Sequence, residues 1–377
     1  MKFRENAMRK VCLIMLLIMS LVACSACVRN SAETKAESDP FKPLPIELST
    51  KQSLLRKYPA PSAISLTVMK QTHSNENPLN YPVSLASSDD GSFYISDNNG
   101  HAVFYISSDL ASVKKVSDKN GERQLQYPNT VQMQQDKLFV SDNDGIKVFT
   151  PDGSLQKTLR SFYAYFHFTV DSTESIFLNP ILLNPKETDP LIVKLDKEGS
   201  RISGFGQRLN RLDHNNLEDE AYLCEVSGKV IAAFKHRPLI QIYDGNTGEL
   251  VHEFSVTHPI FDDLKKLGED KDFIHPKEGV LLLPRYIGGV RATLDRIFVL
   301  LYLPQAEILE LNFQGQEIAR YRATEQVAAS DYFGFDVRSI GDKHQFTVGS
   351  IDTLHVPTLA VFSDATSQNQ QTKEGSK

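Results

Sequence analysis

The chain has 377 residues, 41% hydrophobic and 23% charged, with no tryptophan and a formal net charge of −6. Such a composition suits one large globular domain with its own apolar core and argues against a disordered or collagen-like chain. Lys2, Arg4, Arg9 and Lys10 stand against Glu5 in the first 23 residues, so the remainder carries 37 basic and 46 acidic residues. That balance argues against charge-driven binding to nucleic acid or to an anionic membrane surface.

Residues 1–10 are polar and basic, and 11–23 form an apolar run broken only by Ser20. Thirteen residues are too few to cross a bilayer, which needs roughly 20, and the flanks are those of a signal peptide. The run ends in LVAC at 21–24, with Cys27 a second and poorer candidate. This ending resembles the lipobox of bacterial lipoproteins. The resemblance implies cleavage before Cys24, lipidation of its thiol, and anchoring by two or three acyl chains. Ser25 follows, where an Asp would imply inner-membrane retention, so the resemblance points to the outer membrane of a Gram-negative cell. The expected destination is therefore extracytoplasmic, on the periplasmic or cell-surface side.

Residues 24–61 hold Ser, Glu, Lys and Pro with few large apolar groups and read as the lipidated cysteine and a flexible tether. Residues 365–377 read as a disordered polar tail. Of the four cysteines, Cys12 leaves with the signal, Cys24 and Cys27 precede the domain, and Cys224 sits in an apolar run. No disulfide framework is expected, and Cys224 reads as a small buried hydrophobe.

Between tether and tail, residues 62–364 repeat. FYISDNNG at 93–100 recurs as LFVSDNDG at 138–145, 45 residues later. Each copy is the second of four short strand patterns: 83–86, then the motif, then 102–106 and 112–116 in the first unit, and 130–133, the motif, 146–149 and 155–159 in the second. Tyr81-Pro82 and Tyr127-Pro128 stand before the first strands. Four strands at a period near 45 define a propeller blade. Weaker units follow at 168–205, 222–256, 290–321 and 335–362. The last lacks a fourth strand, and an orphan strand pattern at 64–70 precedes the first unit. The expectation is an all-β, six-bladed β-propeller of four-stranded blades, the last completed by the N-terminal strand, which leaves no long open edge.

The first two units resemble NHL repeats, with Pro before the first strand and an aromatic-aliphatic-Ser-Asp ending to the second. The chain as a whole is similar to bacterial lipoproteins with a six-bladed propeller. The match is close only over 81–160, because the later units lack the Asp-Asn signature.

The connections between strands one and two, and three and four, are short and rich in Gly, Asn and Asp, as hairpin turns require. Almost every long segment falls in the other set: 117–129, 180–190, 207–221, 257–288, 323–334 and 349–357. Within the fourth of these, 261–267 carries an amphipathic helix pattern. Long loops on a rigid scaffold are where binding concentrates. Lys235, His236, Arg237, Arg285, Tyr286, Tyr302 and Asn179 are the candidates on that face, with Arg and His holding an anionic group and Tyr offering a stacking surface. Asp97 and Asp142 read as acceptors in their own turns rather than metal ligands. No local catalytic motif is present. The expected function is a membrane-anchored binding or scaffold module rather than an enzyme, one that recognises a protein, peptide or glycan on the long-loop face. No cofactor, no nucleic acid and a monomeric state are expected. The alternative is a metal-dependent propeller hydrolase or lyase, lactonase-like or amidating-lyase-like, which builds its site from single residues on separate blades.

Overall fold

The computed structural model describes residues 63–72, 79–116, 125–160, 163, 166–182, 185–186, 188–208, 216–269, 283–323, 329, 331–340, 343–352 and 356–364. The expected signal peptide, lipidated Cys24, tether and polar tail lie outside them.

The described chain begins with β1 (Ile64–Thr72). Blade one follows as β2 (Pro82–Ser87), β3 (Phe93–Asp97), β4 (Ala102–Ile106) and β5 (Val113–Lys115), and blade two as β6 (Val131–Gln134), β7 (Lys137–Asp142), β8 (Gly145–Phe149) and β9 (Leu155–Arg160). Blade three is β10 (Phe166–Val170), β11 (Ile176–Pro180), β12 (Ile192–Leu195) and β13 (Arg201–Phe205). Blade four is β14 (Ala221–Val226), β15 (Lys229–Phe234), β16 (Leu239–Asp244) and β17 (Leu250–Ser255), followed by α1 (Phe261–Glu269). Blade five is β18 (Ile287–Ala292), β19 (Ile297–Leu301), β20 (Glu307–Leu311) and β21 (Glu317–Ala323). Blade six is β22 (Asp331–Ile340), β23 (Lys343–Ile351) and β24 (Pro357–Asp364), with β1 as its fourth strand.

The six blades form a ring, a six-bladed β-propeller. Closure is as the strand arithmetic demands: β1 runs antiparallel to β24, with Leu66 opposite Asp364 and Val68 opposite Phe362. β1 also pairs in parallel with β21, Ile64 opposite Tyr321, so blades five and six share one eight-stranded sheet. Burial explains the strand composition. Second strands such as β3, β11 and β19 are buried throughout because blades cover both their faces; β19 is wholly apolar, and β3 and β11 open on apolar runs and turn polar only toward their ends, at Ser96, Asp97 and Asn179. Outer strands such as β5 and β17 are mostly exposed.

The turns from strand three to strand four share one device. Ser107, Thr150, Asp196, Asp244 and Asn312 end or follow the third strands, and each side-chain oxygen accepts a backbone N–H within its own turn. Gly153 is obligatory in one of them: its φ is 88°, and a Cβ there would fall on the Val116 carbonyl.

Two expectations are corrected. The first strand of blade five begins at Ile287 instead of residue 290, and that of blade six at Asp331 inside an expected loop. Gly288, Gly289 and Gly334 make these stretches look like loops. Their role is close approach. A Cβ on Gly334 would stand 2.2 Å from Leu85 Cβ, and one on Gly289 3.2 Å from Phe335 Cβ. The inner strands of blades five, six and one touch where side chains are missing.

Candidate functional site: the central cavity

The inner strands surround a central cavity of about 510 Å³, to which every blade contributes. One face of the ring carries the segments that lead into the first strands together with the connections from strand two to strand three. Asp97 and Asp142 tie these together. Asp97 accepts the backbone N–H groups of Asn80 and Tyr81 as well as that of Gly100 in its own turn. Asp142 accepts those of Gln126, Tyr127 and Asn143 and the Lys147 ammonium at 2.8 Å. Burial would raise the Asp142 carboxyl, but the Lys147 contact and the backbone donors outweigh it and hold it below the ordinary carboxylate value. These two aspartates are structural clips that reach further than their own turns.

At the mouth of the cavity on this face, Glu220 precedes β14 and gathers three basic side chains. Lys235 Nζ donates to Oε1 at 2.8 Å, His167 Nε2 lies 3.0 Å from the same oxygen, and His236 Nε2 lies 3.5 Å from Oε2. Burial pushes the Glu220 carboxyl up, and the two histidine contacts with the Lys235 charge overcome it, leaving it well below the usual range. Across the mouth, Arg285 Nη1 donates to Asp331 at 3.1 Å and to the Tyr302 hydroxyl at 3.3 Å. Tyr222 lies between the two groups, its ring 5.1 Å from that of His167. Burial, then the Glu220 charge, raises its hydroxyl far above the ordinary value, with Arg285 opposing, so it stays protonated.

The expected site residues separate into two sets. Lys235 and Arg285 both line the cavity, and His236 buttresses Glu220 while its Nδ1 lies 3.0 Å from the Pro284 carbonyl oxygen. The others are engaged elsewhere. Arg237 stacks on Phe234, 4.0 Å from the ring centroid, and donates to the Glu218 carbonyl. Tyr286 is buried in the apolar core, under α1, with its ring 5.0 Å from Phe261. Tyr302 is buried behind Arg285. Asn179 is fully buried, and its amide bridges blades three and four through the Leu191 and Asp219 carbonyls and the Ala221 N–H. Glu220, Tyr222, His167 and Asp331 were missed by the sequence reading. Glu220 stands immediately before a first strand and the other three lie in one, and that common position was the available signal.

The opposite end of the cavity is crossed by Arg291. Its Nε donates to Asp336 of blade six at 2.9 Å, Nη1 to its own Val290 carbonyl, and Nη2 to the Leu85 carbonyl of blade one at 3.1 Å. Inner edges elsewhere are covered in the same way: Gln132 pairs with both backbone groups of Val170, and Ser84 Oγ accepts the Val131 N–H. Among the described residues, no three His, Cys, Asp or Glu side chains gather where they could hold a metal ion, and no helix is long and apolar enough to cross a membrane.

No family model matches the sequence, and no curated protein matches it either. Among solved structures the chain is similar to a protein of Bacteroides fragilis described as exported, with a TM-score of 0.53 and 14% identity over 81% of this chain and 97% of that one. It is also similar to a luciferin-regenerating enzyme, with a TM-score of 0.51 and 8% identity over 81% and 96% of the two chains. At such identities the likeness establishes the propeller fold and nothing finer.

Proposed function

We propose that this propeller is an exported, lipid-anchored binding module that takes part of its ligand into the central cavity through the mouth bearing Lys235 and Arg285. The observation that carries the reading is the cavity itself. Two basic side chains from different blades converge on it, next to the aromatic faces of Tyr81 and Tyr222. Convergent polar groups in a concave site are the usual form of a recognition site. Localisation rests on the N-terminal pattern ending at Cys24.

Two experiments test this. A mixed panel of peptides and oligosaccharides is passed over the immobilised full chain in detergent. Capture by the native chain, lost in the cavity-filling variant Asn129→Trp, is the expected result; capture indifferent to Asn129→Trp places the site elsewhere. Separately, Cys24→Ala should abolish acylation and detergent-phase partitioning, and a variant that still partitions at the mature size would remove the anchor.

A further inference from the structure

We infer that the mouth captures the free carboxylate end of a peptide, with Arg285, Lys235 and the Tyr222 hydroxyl as its donors. The inference rests on the reading that the cavity is the binding site, and it names the chemistry of that site.

Hydrogen-bond accounting at the mouth leads there. Both local carboxylates are engaged. Glu220 takes Lys235 and His167 on Oε1 and faces His236 with Oε2. Asp331 takes the Tyr332 N–H at 2.8 Å and Arg285 on both oxygens. The donors are not used up. Among the described residues, all of Arg285's hydrogen bonds leave from Nη1, so Nε and Nη2 form an open planar fork. Among the same residues Lys235 uses one of three ammonium donors, and the Tyr222 hydroxyl uses none. Donors therefore exceed acceptors, and a complementary ligand brings acceptors. A planar guanidinium fork fits a carboxylate best. A sugar, rich in hydroxyl donors, would find few acceptors here.

A chain end fits better than an acidic side chain because of what lies beneath. With the terminal carboxylate on Arg285 and Lys235, the last side chain can enter the cavity between Val83, Val131, Leu223 and Phe333, while the rest of the peptide leaves across the loop face. An acidic side chain would keep its own backbone outside and leave the 510 Å³ beneath it without apolar contact.

The test uses two random-sequence hexapeptide pools, one with free carboxyl ends and one amidated, passed over the immobilised full chain in detergent and read by mass spectrometry. The free-acid pool should be retained at least about tenfold better, the scale of one charge-assisted pair. The preference should vanish in Arg285→Gln/Lys235→Met and weaken severalfold in Tyr222→Phe; thermal melting confirms that each variant is folded, and Tyr222→Phe alone suffices if the double variant is not. Equal retention of both pools that Asn129→Trp abolishes overturns the carboxylate and leaves the cavity as the site. Equal retention that survives Asn129→Trp overturns both. Retention of neither pool overturns the peptide end, while oligosaccharide capture sensitive to Asn129→Trp would then keep the cavity reading.

Discussion

Arg285 and Arg291 bracket the same inner strand, one at each end of the cavity, and they do opposite things. Arg291 has each side-chain nitrogen on an acceptor, one from its own blade, one from blade six and one from blade one. It joins the seam where the ring closes. Arg285 lines the cavity and, among the described residues, is held by Asp331 and Tyr302 through Nη1 alone. Residue type does not separate a structural arginine from one proposed for recognition. What separates them is whether each side-chain nitrogen already has a partner within the fold.

The largest expected effect comes from Glu220, which complicates the contrast because it lies at the recognition end. Glu220→Ala leaves Lys235, His167 and His236 facing one another without their shared carboxylate. Removing one member of a buried ionic group costs roughly 3 kcal/mol, and urea unfolding should show a loss of that order. A loss under about 1 kcal/mol would mean the basic side chains relax into solvent.

The seam should respond next. Arg291→Ala uncaps the Leu85 carbonyl and leaves Asp336 without its main partner, for about 2 kcal/mol. Gly334→Ala forces a Cβ against Leu85 and should cost about 1–3 kcal/mol by overpacking. If the two changes are combined, their effects should fail to add, since both act on Leu85.

The acid limb offers a finer contrast. Glu220 and Glu307 are both held below their ordinary carboxyl value of 4.5 despite burial: the first by His167, His236 and Lys235, the second by His258 and Arg322. A folded-state value below the unfolded one contributes stability that is full above the unfolded value, near pH 4.5, and is lost as pH falls through the lower folded one. Acid unfolding of Glu220→Gln, followed by circular dichroism, should therefore be less steep below about pH 4.5 than that of the native chain. Parallel curves would remove Glu220 as a contributor.

The smallest stability effect is reserved for Arg285. Because Arg285 and Asp331 are both more than a third exposed, Arg285→Ala should change stability by under about 1 kcal/mol while removing ligand capture. An equal loss from Arg285→Ala and Arg291→Ala in thermal melts would erase the distinction between the two ends.

The fold was legible because its signals are local. Alternating strand patterns, the Asp-Asn motif in blades one and two, and an orphan strand balancing an incomplete last blade lead directly to six blades. A further repeat was available and stronger: the turns that begin at Thr150, Asp196 and Asn312 share a polar residue followed three positions later by Gly, which carries the repeat into blades three and five. The helix over 261–269 was also visible from its spacing.

The site was only half legible. Lys235 and Arg285 could be placed at the cavity because loop position and charge are written in the chain. Sequence by itself determined the blade count, the closing strand and the face that carries the long connections, since periodicity and turn chemistry depend on near neighbours. Only the tertiary structure decided that Asn179 bridges two blades, that Tyr286 lies under a helix, that Gly288, Gly289 and Gly334 let backbones meet, and that Glu220 and Tyr222 stand among the basic groups at the mouth. Each of these depends on which residues from distant blades share one point in space, and there the availability of hydrogen-bond partners outweighs residue type.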